Sequence, residues 1–177
     1  FIRSVHKGAS KGFNFIVNMN RVYEDFITEI TLDLVEKDKI FTDYVALPQE
    51  RFSGLVREDR IITKPDIILR RKNTKEIPFI IDAKYKKQEN NADYYQVIAY
   101  ALAVPGAKAC FLIYPDTERI ETSILTLDPH LLGSDRDEIK IHTVKVDLLL
   151  DDKLTFKEYI TEIKSQLKAQ FQLSHHF

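Results

Sequence analysis

The sequence predicts an α/β fold, a mixed sheet flanked by helices, and three features predict it. A long amphipathic segment comes first, an Ala- and Tyr-rich helical segment falls between apolar strand-like runs, and a second amphipathic segment closes the chain. With 177 residues, 44% of them apolar and 30% charged, the chain has material for one core and too little length for two comfortable domains. Residues 1–177 are therefore read as one domain.

The elements follow in order. Residues 13–35 are expected to form the first helix, because Phe15, Ile16, Met19, Val22, Tyr23, Phe26, Ile27, Ile30 and Leu34 recur at three- and four-residue spacing. Residues 44–56 read as extended, interrupted by Pro48 and Gly54. A hairpin comes next: strand 65–70, a polar turn over 72–76, and strand 79–85. Residues 92–103 form a helix stopped by Pro105-Gly106. Residues 108–114 make a short apolar strand ending at Pro115. Residues 119–127 and 139–150 alternate apolar and polar, as half-exposed strands do. Residues 155–171 form the closing amphipathic helix, with Phe156, Tyr159, Ile160, Ile163, Leu167 and Phe171 on one side. The His pair at 175–176 is assigned no function.

Composition removes several function classes. A formal net charge of −1 excludes a histone-like basic protein, and the lone Cys110 excludes an internal disulfide framework and a Cys-based zinc cluster. No apolar run approaches the ~18 residues of a transmembrane helix. The amino end lacks both Met and a signal-peptide pattern, so the chain is expected to be part of a longer cytoplasmic protein. No Gly-x-x-x-x-Gly-Lys-Ser/Thr phosphate loop is present, so nucleotide hydrolysis by that route is not expected.

Three charges stand out against this background. Along 79–85 side chains alternate faces: Phe79, Ile81, Ala83 and Tyr85 point one way, Ile80, Asp82 and Lys84 the other. The strand starts apolar on both faces, the mark of an interior strand, so Asp82 and Lys84 close a buried strand on one face, roughly 6.6 Å apart. If the hairpin centres on Thr74, Asp66 lies directly opposite Asp82, with Cβ atoms roughly 5 Å apart. Pro65 suits the first position of its strand, where the missing N–H is tolerated.

Two facing aspartates repel, so something positive should hold them. A point ammonium from Lys84 seldom satisfies both. Carboxylate oxygens, a backbone carbonyl and several waters form the hard octahedral set that Mg²⁺ favours. The competing reading is a buried Asp–Lys salt bridge with Asp66 as a strand-start residue. Against it stand the apolar lead-in, the paired Pro65-Asp66, Glu24 on the preceding helix and the i,i+4 pair Gln96 and Tyr100 on the following one.

Pro65-Asp66 followed after fifteen residues by Asp82-Ala83-Lys84 resembles the PD-(D/E)xK nuclease signature. More narrowly, Tyr23-Glu24-Asp25-Phe26, Asp82-Ala83-Lys84-Tyr85-Lys86 and Asp93-Tyr94-Tyr95-Gln96-Val97-Ile98-Ala99-Tyr100, leading to Leu112-Ile113-Tyr114-Pro115, are similar to the McrC nuclease subunits of McrBC modification-dependent restriction systems. The resemblance implies a restriction-endonuclease-like αβββαβ core over about 13–115, with 116–177 a C-terminal extension of extra strands and a helix. It also implies Mg²⁺-dependent cutting of DNA phosphodiesters, with Mn²⁺ as a possible substitute, and an McrB-like AAA+ GTPase as partner.

On that reading Asp66, Asp82 and the backbone carbonyl of Ala83 ligate the metal, with Glu24 joining through a water or helping a second ion. Lys84 contacts the attacking water or a nonbridging phosphate oxygen. Family analogy places Gln96 and Tyr100 beside the site. Residues 51–87 contain eleven Lys/Arg against five Asp/Glu, a local excess of +6 that leaves −7 for the rest. Such an excess suits a phosphate backbone, with Lys86 and Lys87 the best-placed contacts. No aromatic-basic ladder points to base readout, so recognition of sequence or methylation is assigned elsewhere. Two alternatives stand beside the restriction nuclease: a non-catalytic DNA-binding or assembly module keeping the nuclease fold, and a repair or recombination nuclease of the same superfamily.

Overall fold

Asn18 decides where the first helix begins. Its side chain accepts from the backbone N–H of Arg21 at 3.4 Å, capping α1 (Met19–Lys37). In the computed structural model, which describes residues 2–5, 12–58, 60–116, 123–128, 130, 138–148 and 153–173, the stretch expected to start that helix is instead a strand. β2 (Gly12–Phe15) pairs antiparallel with β1 (Ile2–Val5), Ile2 opposite Phe15. Ile16, Met19 and Val22, assigned to the apolar stripe by spacing, are 80%, 44% and 45% exposed, so they lie outside the buried face. That face is Tyr23, Ile27, Ile30, Thr31, Leu34 and Val35.

A 3₁₀ turn, Lys39–Phe41, leads into β3 (Tyr44–Pro48). Pro48 ends an edge strand, where its missing N–H costs little. β4 (Ile67–Arg71) and β5 (Phe79–Ala83) pair with Ile67 opposite Ile81, Ile68 opposite Ile80 and Leu69 opposite Phe79. This register is centred on Thr74, as the symmetry of the turn predicts. Lys75 supplies the left-handed residue of the turn (φ 64°).

A capping box between Asn90 and Asp93 opens α2 (Asn91–Ala103). Gly106, at φ +81°, turns the chain back into the sheet. β6 (Ala109–Asp116) runs parallel to β5 and passes through Pro115 instead of stopping there. β8 (Lys140–Asp147) lies parallel on the other side of β6, and β7 (Ser123–Thr126) closes that edge antiparallel to β8. Parts of the strands expected over 119–127 and 139–150, at 119–122 and 149–150, lie outside the described residues, as does the 175–176 His pair. The final helix is α3 (Phe156–Leu173).

The strand order β3-β4-β5-β6-β8-β7 gives a six-stranded mixed sheet with helices on both faces. From α1 to β6 the elements read αβββαβ, consistent with a restriction-endonuclease-like core. α1 and α3 pack with Ile67, Leu69, Phe79, Ile81 and Ala83 on one face, and α2 packs with Ile68 and Ile80 on the other. This alternation settles the face of the two acids, since Asp66 and Asp82 share parity with Ile68 and Ile80. The extension beyond residue 116 is structural: β8 sits inside the sheet and α3 buries Tyr159, Ile163, Leu167 and Phe171.

Phe111 packs at the centre of the aromatic contacts of the α1/α3 core. Its ring lies 4.9 Å edge-on from Phe171, 6.1 Å from Phe79 and 5.0 Å stacked from His142. Phe111→Ala is expected to cost about 3–5 kcal/mol in urea unfolding. Phe156, placed on the apolar side by spacing, is 73% exposed in the first turn of α3, before the helix meets the core. Phe156→Ala should therefore stay within about 0.5 kcal/mol.

Candidate functional site

The β4–β5 pair is apolar until its open end, where two acids are buried. Asp82 is 1% exposed on the fully buried β5, and Asp66, one residue before β4, is 8% exposed. The ladder ends at Ile67 opposite Ile81, and the two acids occupy the next position on each side.

Their surroundings differ. Asp66 is satisfied: the Ala83 N–H donates to its Oδ2 at 2.8 Å, and Gln49 Nε2 donates to its Oδ1 at 3.4 Å. Asp82 is not. Lys84 Nζ lies 2.5 Å from its Oδ2, close enough for an ion pair but off the angle of a hydrogen bond. That buried oxygen has no hydrogen-bond donor among the described residues. Its charge is met by the Lys84 ammonium alone among the described residues, and two buried carboxylates beside one ammonium leave room for a second cation.

The titration behaviour follows. Burial, then the charge of Asp66, pushes Asp82 up to about 7, against the opposing pull of Lys84. Burial also raises Asp66, while the Ala83 N–H works to lower it. Burial works against the Lys84 ammonium, but the Asp82 and Asp66 carboxylates outweigh it and hold its pKa above the ordinary value. Glu24, half-buried on α1, is raised by burial and then by Asp66, and feels Lys84 as well. It therefore stands within electrostatic reach of the same cluster.

On α2, Gln96 Nε2 donates to the Tyr100 hydroxyl at 2.5 Å, and that hydroxyl donates to the Lys64 carbonyl at 3.3 Å. Burial raises Tyr100, and the charge of Asp82 adds to it. The predicted site residues thus gather at one end of the sheet. Two predicted contacts separate there: Lys87 is exposed, whereas Lys86 donates to Asp93 at 2.6 Å.

One residue at the site escapes the sequence reading, and another is read without a role. Gln49 turns the chain after β3 at φ 59°, and its N–H donates to the Asp66 carbonyl at 2.9 Å. Nothing local in the sequence marks it. Asp93 belongs to the Asp93–Tyr100 segment that carries the resemblance, and the Asn90-x-x-Asp93 capping-box spacing is the signal that marks it further.

The donor set suits a hard ion. Among the described residues, no three His, Cys, Asp or Glu side chains group tightly enough to hold a metal by themselves. The site instead offers two buried carboxylates and the neighbouring strand-end carbonyl of Ala83, a partial set that fits Mg²⁺, which keeps several waters. Among the described residues no helix is long and apolar enough to cross a membrane.

Comparisons with known proteins bear on this arrangement. A family model described as McrBC 5-methylcytosine restriction system component matches residues 3–115, a span holding all the residues gathered at the site. No curated protein matches the chain. Among solved structures, the chain is similar to one from a "Refined half-complex from tetradecameric assembly of Thermococcus gammatolerans McrB AAA+ hexamers with bound McrC", at TM-score 0.61 and 17% identity. The match covers 89% of this chain and 34% of that one, so the chain spans about a third of its structural relative, and the likeness is one of fold.

Proposed function

Because the chain belongs to the family of McrBC 5-methylcytosine restriction system components, we propose that it is the DNA-cutting domain of such a system, a Mg²⁺-dependent endodeoxyribonuclease of the PD-(D/E)xK type. The observation that supports this most is the pair of buried acids, Asp66 and Asp82, at the open end of β4 and β5, with the Lys84 ammonium 2.5 Å from Asp82. Its proposed substrate is DNA carrying 5-methylcytosine, and its proposed partner an McrB-like AAA+ GTPase, as in the assembly that its structural relative comes from.

Asp66, Asp82 and the Ala83 carbonyl would hold Mg²⁺, with Mn²⁺ able to substitute and Glu24 engaged through water. The ion, when bound, supplies Lewis-acid polarisation of the scissile phosphate and a bound water of lowered pKa. The Ala83 N–H and Gln49 hold the Asp66 carboxylate in place, the Ala83 N–H working against the upward push of burial on its pKa. Lys84 supplies positive charge where negative charge grows on the phosphoryl oxygens or the attacking water. Gln96 and Tyr100 brace the chain entering Asp66 through the Lys64 carbonyl. The basic excess over 51–87, with Lys87 exposed just past the site, attracts the backbone without reading bases.

The test uses the full-length protein with its AAA+ partner, GTP and methylated DNA. Cleavage is expected in Mg²⁺, partly in Mn²⁺, and none in EDTA. Cutting that needs neither partner nor methylation would favour a repair or recombination nuclease. No cutting by the assembled complex would leave a non-catalytic assembly module.

A further inference from the structure

The chemistry proposed above leaves one buried acid unused. Asp93 is 4% exposed, and its carboxylate collects three donors. Oδ1 accepts from Lys86 Nζ at 2.6 Å, and Oδ2 accepts from the Tyr114 hydroxyl at 2.7 Å and the Asn90 N–H at 3.2 Å. A helix cap needs only the last of these. The other two reach away from the helix: Tyr114 stands on β6, and Lys86 lies on the segment leaving β5, two residues after Lys84. One carboxylate therefore joins α2, the neighbouring strand and the chain that carries the site's ammonium.

That chain has few other restraints. Past β5, the Lys84 N–H donates to the Ile113 carbonyl at 2.8 Å, and the Lys86 N–H turns back to the Lys84 carbonyl at 3.0 Å. Beyond these backbone bonds, two side-chain contacts anchor the turn: Tyr85 packs 5.7 Å from the Tyr23 ring of α1, and the Lys86–Asp93 pair ties it to α2. Seven residues along α2 from Asp93, the Tyr100 hydroxyl holds the Lys64 carbonyl, two residues before Asp66. The helix thus grips the chain on the outer side of each acid.

Resting on the nuclease reading, we propose that Asp93 is a positioning residue for Lys84, and that Lys86 is its tether and not a phosphate contact. Holding Lys86 fixes the course of 84–86, which keeps the Lys84 ammonium beside Asp82 when the side chain could otherwise swing towards solvent. Backbone attraction past the site then falls to Lys87.

The experiment compares Asp93→Asn, Lys86→Met and the double variant, each with Lys84 intact and as Lys84→Ala, in the full-length protein with its partner. Asparagine keeps the capping geometry, and Lys86→Met gives an independent reading should Asp93→Asn fold poorly. Each single variant is expected to lower kcat about 10- to 100-fold, the scale of a displaced catalytic group, with KM for DNA and its salt dependence unchanged. The double variant should be no worse than either single one, and neither change should matter further once Lys84 is Ala. A Lys86→Met enzyme with normal kcat, raised KM and a shallower salt dependence would make Lys86 a phosphate contact and overturn the proposal. So would an Asp93→Asn loss of equal size in the Lys84→Ala background, which would mean general structural damage. A wild-type complex that does not cut in Mg²⁺ removes the nuclease reading and this inference with it, whereas a cutting wild type with either of the other outcomes removes this inference alone.

Discussion

Asp82→Asn is expected to remove Mg²⁺-dependent cleavage, by on the order of 10³-fold or more, while making the metal-free protein more stable at pH 8. The two effects share one cause. Burial and the facing Asp66 push Asp82 up to about 7, from an ordinary value of 3.8 in the unfolded chain. Between those values the folded protein binds a proton that the unfolded chain has lost. The contribution of this group to stability is therefore fully present below about pH 4 and disappears as the pH rises through about 7. At pH 8 the ionised carboxylate costs on the order of 4 kcal/mol, and asparagine, which mimics the protonated acid, avoids that cost. Thermal unfolding should show the variant more stable at pH 8 and indistinguishable near pH 4. Mg²⁺ should stabilise the wild type increasingly as the pH rises through 7, because the ion must displace the Asp82 proton, and should do little for the variant. If Asp82→Asn is less stable than wild type at pH 8, the acid is held by Lys84 and not strained, and the argument for a cation fails.

This strain was legible in the sequence because it depends on local facts. The turn between β4 and β5 has equal arms about Thr74, and Pro78 does not lengthen it, so the partner of Asp66 could be counted off directly. The apolar lead-in on both faces of β5 marked it as interior, and all five of its residues are buried. What escaped depended on distance along the chain. The parallel pairing of β6 with β8 has no local signature, so 139–150 read as half-exposed, although Ile141, His142, Thr143, Val144 and Val146 are all buried. Gln49 reaches Asp66 across 17 residues of chain through a left-handed backbone that no neighbouring residue dictates. The first helix was read too early because the apolar spacing of 13–22 suits a strand as well as a helix face, and only the Asn18 cap separates the two.

Lys84→Ala is expected to lower the single-turnover cleavage rate about 10²- to 10³-fold, the scale of removing one preorganised donor from a developing anion. Metal binding should respond differently. The ammonium lies 2.5 Å from the oxygen that a cation would use, so it competes with Mg²⁺ for Asp82 at the same time as it lowers the pKa of that acid. Removing it takes away a like charge beside the ion and raises Asp82 further. At pH 8.5, where the proton competes weakly, the variant should bind Mg²⁺ as tightly as the wild type or more tightly. At pH 6, where Asp82 is largely protonated, it should bind more weakly. Titrating Mg²⁺ by calorimetry at the two pH values, alongside single-turnover cleavage, separates the roles. A variant that cuts within threefold of wild type would show that the ammonium takes no part in the chemical step. Loss of Mg²⁺ binding at pH 8.5 would instead make Lys84 a structural support of the acid pair, needed to keep two carboxylates facing each other at the buried end of a sheet.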